Sequence, residues 1–153
     1  MKTFSIGVVS DENSKCCEFF RKMPYANIEL HIIDAHNAHE FDLIILEALP
    51  KTQIYLKENA TVIVSDTDEN INKLFKNQSL RIISCGLSGK ASVGISSRDD
   101  ERSVVCILRS ISTLSGGSIV PQEFTLEHST GNENVFLFLA SVTAFLLCDV
   151  TLL

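Results

Sequence analysis

Residues Phe41–Pro50 read FDLIILEALP. The unbroken apolar run Leu43–Leu46 predicts a buried strand of the kind found in parallel sheets, where both faces are covered. Glu47, Ala48, Leu49 and Pro50 then stop it. Upstream, Phe4–Ser10 (FSIGVVS) is a second apolar, β-branched run. Between them, Ser14–Met23 carries Cys17, Phe20 and Met23 at roughly helical spacing and is stopped by Pro24, and Ile28–Ile33 alternates apolar with polar residues. Downstream, Thr52–Lys57 reads as a short helix, Thr61–Val64 as a fourth strand, and Asp66–Glu69 as an acidic helix start before Ile71–Phe75. Strand alternating with helix predicts a doubly wound α/β arrangement.

The second half changes character. Arg81–Cys85, Ala91–Ser97, Ser103–Leu108 and Ser118–Leu126 are short β-rich runs separated by Gly, Ser and Asp. They follow one another too closely for helical crossovers, which predicts antiparallel hairpins or a meander. Asn134–Cys148 closes the pattern as a long apolar helix. The expected fold is therefore α/β: a Rossmann-like, mostly parallel sheet, with short antiparallel strands added in the C-terminal half and a C-terminal apolar helix. With neither repeats nor linker-like stretches, residues 1–153 are read as a single domain.

Composition narrows the function classes. The 153 residues include 45% hydrophobic residues, 7 Gly and 3 Pro, which excludes a collagenous or disordered chain. A net charge of −6 argues against non-specific nucleic-acid binding. The five cysteines form no C-x-x-C, and no basic-then-apolar leader opens the sequence, so a reducing, cytoplasmic setting is expected. Val135–Leu153 approaches the length of a membrane span, yet it contains Asp149 and its upstream flank lacks Lys and Arg. A helix buried against the sheet is the expected reading, with no membrane partner.

Several motifs approach known chemistry. Gly86–Ser92 (GLSGKAS) contains Gly-Lys after a strand. Its glycines are too close for a phosphate loop, Ala91 replaces the hydroxyl residue, and a strand follows, so a strand–turn–strand hairpin is expected. Ser10–Cys16 occupies the phosphate-loop position but has no glycine and carries Asp11 and Glu12, with Ser14 placed to cap the next helix. Cys16 beside Lys15 has the placement of an activated thiol, without a His–Asp or His–Asn pattern to support it. His31, His36 and His39 lie near Asp34 and Glu40, with His36 and His39 at i,i+3 spacing. No Cys or third fixed ligand is near and the segment reads as a loop, so surface polar residues are expected and no metal is assigned. Arg98–Arg102 (RDDER) reads as a solvated hairpin tip. Asp11 and Glu12, with Glu47 closing a third strand, resemble response-regulator receivers; the short chain between Glu47 and Ser65 breaks that pattern.

Three stretches together resemble the central, ATP-binding domain of the Mur ligase family. Gly131–Val150 (GNENVFLFLASVTAFLLCDV) is similar to the family's G-x-H-N-v-x-N-a-L-A-A helix, keeping Gly131, Asn134, Leu139 and Ala140. Glu133 replaces the His, and Leu137 the second Asn. Asn59–Glu69 (NATVIVSDTDE) resembles the family's strand ending in N-a-D-D, retaining Asp68. It leads into Leu80–Ser97, similar to the family's following strand pair. Ile6–Cys17, set against I-T-G-T-N-G-K-T-T, keeps Asn13 and Lys15 and loses both glycines.

The resemblance implies a truncated, degenerate relative. The magnesium ligands, the phosphate cradle and the family's flanking domains have no counterpart, so ligation is not expected and no catalytic or metal residue is assigned. Asn13, Lys15 and Asn134 would mark a remnant nucleotide crevice, with no obligatory cofactor and at most weak ATP or ADP binding. The implied function is a non-catalytic module that binds a protein partner, associates with itself, or senses a small ligand. The alternatives are a nucleotide-binding or hydrolysing enzyme with an atypical phosphate loop, and a receiver-like regulatory domain.

Overall fold

The computed structural model describes residues 3–11, 14–22, 28–68, 71–76, 79–99, 101–127 and 134–150. The fold is α/β, with a mostly parallel sheet, added antiparallel strands and a C-terminal helix. The chain divides into two compact units. One is Met1–Val64 with Asp68–Ile82, and the other is Ser65–Thr67 with Ile83–Leu153.

In the first unit the strands are β1 (Phe4–Val9), β2 (Ile28–Ile32), β3 (Leu43–Leu46) and β4 (Thr61–Ser65), and the helix is α1 (Lys15–Lys22). The order is β2-β1-β3-β4, all parallel where paired, with Ile6 opposite both Leu30 and Leu43. Every residue of β3 is buried, as its unbroken apolar run requires. One face holds a core that includes Ile33, Phe41, Ile44, Leu56 and Phe75. Gly7 sits under this core, where a Cβ would come within 2.9 Å of the Ile33 and Ile44 Cδ1 methyls, so a larger residue would require those side-chain ends to shift.

The crossovers differ from the sequence expectation. Thr52–Lys57 is not a helix, because its burial runs with a period of two: Ile54 and Leu56 are buried while Tyr55 between them is 55% exposed. The expected helix at Ile71–Phe75 is a short 3₁₀ turn, Ile71–Lys73. The two crossovers instead clasp one another. The Ile54 N–H donates to the Leu74 carbonyl and the Lys76 N–H to the Ile54 carbonyl, each at 2.9 Å, with Ile54 bridged to Phe75.

The second unit holds β6 (Val93–Arg98), β7 (Arg102–Ile107) and β10 (Gln122–Glu127) beside the end of β5 (Arg81–Cys85). β6/β7 and β7/β10 are antiparallel, as the close spacing predicted, and a register shift interrupts β6 between Ile95 and Ser97. β8 (Ile111–Ser112) and β9 (Ser118–Ile119) form a separate small ribbon. The expected hairpin across Gly86–Ser92 is corrected: β5 and β6 run parallel and meet at one pair, Cys85 opposite Val93. The Arg98–Arg102 run is a hairpin tip. The Asp99 carboxylate there accepts the Glu101 and Arg102 N–H groups at 2.8 and 2.7 Å.

α2 (Val135–Leu147) is buried on nearly all sides, including Leu139, Val142 and Phe145, while Phe136 and Leu146 are half-buried. Each fully buried large side chain contributes about 1.5–3 kcal/mol. Its polar residues are satisfied internally, Ser141 Oγ donating to the Leu137 carbonyl at 2.8 Å and Thr143 Oγ1 to the Leu139 carbonyl at 2.7 Å. Among the described residues no helix is long and apolar enough to cross a membrane.

Candidate functional site at the ends of the first and third strands

In an open α/β sheet, ligands bind outside the carboxyl ends of the strands where the order reverses. In the first unit that point lies between β1 and β3, since β1 is flanked by β2 on one side and β3 on the other. Ser10 follows β1, and Glu47 follows β3. The two strand ends are tied together by the Glu47 and Ala48 N–H groups, which both donate to the Val9 carbonyl, at 3.0 and 2.9 Å.

The first turn of α1 opens onto the same point. Its leading N–H groups have no partner within the helix and carry the positive end of its dipole, which suits an anion. Ser14 caps the turn as the sequence predicted, its Oγ accepting the Cys17 N–H at 3.1 Å. The anion in the seat is the chain's own. The Glu47 carboxylate accepts from Ser10 Oγ at 2.7 Å, Ser14 Oγ at 3.1 Å, the Cys16 N–H at 2.8 Å and the Lys15 N–H at 3.3 Å. A phosphate entering this turn would meet a half-buried carboxylate whose two oxygens already take these donors.

The residues singled out from the sequence fall as follows. Lys15 is exposed, on the first turn of α1, and contributes its backbone N–H to the Glu47 seat. Asn134 belongs to the second unit and caps α2, its Oδ1 accepting the Phe136 and Leu137 N–H groups at 2.8 and 3.3 Å. Asn13 lies outside the described residues, as do Glu12 and Glu133. Cys16 is fully buried. His31, His36 and His39 are exposed, and among the described residues no group of three or more His, Cys, Asp or Glu side chains converges on a metal-sized site.

The second unit contains a smaller counterpart. The Asp66 Oδ2 accepts the Ser88 N–H at 2.7 Å, and the Asp66 N–H donates to the Cys85 carbonyl at 3.0 Å. Gly86 lies so close that a Cβ there would overlap the Asp66 carboxylate. The Gly-Lys loop therefore closes on an aspartate. Behind it, burial pushes the Cys85 thiol up to about 12 against the opposing Thr143 hydrogen bond, with Asp66 adding to the rise. Burial, then Asp149, likewise pushes the Cys148 thiol up to about 12. Neither thiol is ionised near neutral pH, which removes both as nucleophiles.

Sequence reading placed Glu47 in a receiver-like position and Asp66 in a helix start, and it missed that each carboxylate fills a neighbouring loop. The available signal was positional: both residues come directly after, or one residue beyond, a buried parallel strand, where side chains reach the loop cluster. No protein-family model matches the chain, and no curated protein matches it.

Proposed function

We propose that the protein is a non-catalytic, Mur-ligase-like module that acts by binding rather than by chemistry, with a protein as its partner. The observation that carries this reading is the Glu47 carboxylate held by the first turn of α1 and by two serine hydroxyls. A ligase or nucleotidase of this architecture needs that turn for the phosphates of its substrate. Here the turn is satisfied from within, and an incoming nucleotide must evict a like charge before it can bind. Of the remnant residues, Asn134 supports this reading, since its side chain is engaged as a helix cap.

The test is the melting temperature with and without millimolar ATP, ADP or UDP-sugars, plus and minus Mg²⁺. Ligand at 100 times its Kd stabilises by about 2.7 kcal/mol. That corresponds to about 5–11 °C in a domain of this size. The expected result is no shift with any of them. A nucleotide-dependent shift that disappears in Lys15→Ala would instead support the enzyme with an atypical phosphate loop.

A further inference from the structure

Strand β2 ends the strand order of the first unit, and among the described residues no strand pairs with its outer side. Just beyond β2, the Ile33 N–H donates to the Val8 carbonyl at 3.0 Å. By the alternation of a parallel ladder, Glu29 and His31 turn their backbone groups toward β1. Ile28, Leu30 and Ile32 turn theirs outward. The side chains divide in the same way. Ile28 and Leu30 are half-buried and Ile32 is 51% exposed along one face. Glu29 and His31 share the other face, Oε2 and Nε2 being 3.5 Å apart.

We propose that β2 is a self-association edge, to which β2 of a second copy of this chain adds in antiparallel fashion about a two-fold axis through Leu30. In that register the outward N–H and C=O groups of Ile28, Leu30 and Ile32 meet their counterparts. Leu30 faces itself and Ile28 faces Ile32 of the partner subunit, extending one apolar stripe across the junction. On the opposite face Glu29 faces His31 of the partner subunit, and symmetry repeats the pair. The strand is thus complementary to its own reverse in backbone, in apolar stripe and in the donor–acceptor pairing of imidazole with carboxylate. It also lacks the usual guards of an edge, having no Pro and no Lys. β10 at the edge of the second unit behaves oppositely. It carries Glu123 and Glu127 with no basic residue, so a two-fold axis at Thr125 would set those carboxylates against each other. The inference is independent of the Glu47 seat.

The junction is small, and interfaces below about 1,200 Å² are transient. Association is therefore read by sedimentation and light scattering from micromolar to millimolar protein. The wild type is expected to dimerise within that range. His31→Glu opposes two carboxylates to Glu29 and weakens dimerisation roughly tenfold. The double variant Glu29→Lys with His31→Glu exchanges the charges and restores it. Ile32→Lys, at an exposed position, abolishes it. Dilute-solution melting reports whether the variants remain folded. A wild type that stays monomeric at millimolar concentration overturns the proposal. So does a dimer indifferent to Ile32→Lys and His31→Glu, or a charge exchange that fails to restore pairing in a folded protein.

Discussion

Two loops in this chain carry the look of a phosphate cradle, and each is closed by a carboxylate from the end of another strand. In the Ser10–Cys16 loop the acceptor is Glu47, in contact with two hydroxyls and two backbone N–H groups at the head of a helix. In the Gly86–Ser92 loop it is Asp66, bonded to the single N–H of Ser88, with a strand and no helix behind. The first arrangement has the donors and the dipole of an anion site and lacks only room. The second never had the dipole, and its Gly86 answers steric closeness to Asp66, while Gly89 of the Gly-Lys pair stands in open space. A glycine in a loop thus has two physical causes, approach to a ligand and approach to the protein itself. The identity of the nearest group separates them.

The difference can be broken by substitution. Glu47→Ala removes the acceptor for several donors at once and is expected to destabilise by about 2–3 kcal/mol, read by urea unfolding. Glu47→Gln keeps the shape and should recover part of that. Gly86→Ala forces a methyl into Asp66 and should cost about 1–2 kcal/mol, less than the loss of Glu47. In an Asp66→Ala background the same glycine change should cost measurably less, so the double-mutant cycle shows strong non-additivity. Additive behaviour would mean that the two residues do not constrain each other. Asn134→Ala, which removes the α2 cap, should cost ~1 kcal/mol without altering the response to nucleotide.

At neutral pH the remaining effect is silent, and it is read only in alkali. Cys85 is raised from 9.0 to about 12 in the folded chain, so folding favours the protonated thiol. Its contribution is complete below pH ~9 and is lost as pH rises through about 12. Alkaline melting curves should therefore fall over that range. Asp66→Asn, which removes a neighbouring negative charge, should soften the decline slightly. A decline unaltered by Cys85→Ala would assign it to other groups, Cys148 among them.

The fold was legible where hydrophobic period and strand length agreed. FDLIIL and FSIGVV declared buried parallel strands, and the charge run at Arg98–Arg102 declared a turn. The crossovers were less legible. In Thr52–Lys57 the alternation of Ile54, Tyr55 and Leu56 outweighs helix propensity, because the partner strand segment at Phe75 lies far along the chain. The parallel meeting of β5 and β6 was hidden for the opposite reason, since strands so close along the chain read as a hairpin. The site was legible only in part. Ser14 could be read as a cap from its position, but which carboxylate reaches an unfilled helix turn depends on strand order, and strand order is not written locally.

The clasp between the two crossovers has a consequence for motion. With no α-helix among their described residues, these loops would be expected to open separately and often. The bonds from Ile54 to Leu74 and from Lys76 to Ile54 make each loop the scaffold of the other. In native-state hydrogen exchange the amides of Ile54 and Lys76 should therefore share one opening free energy, well above that of neighbouring loop amides. A residue inserted into either crossover should accelerate exchange in both. The segment that moves is the pair, and its tolerance to insertion is set by whichever loop is shorter of slack.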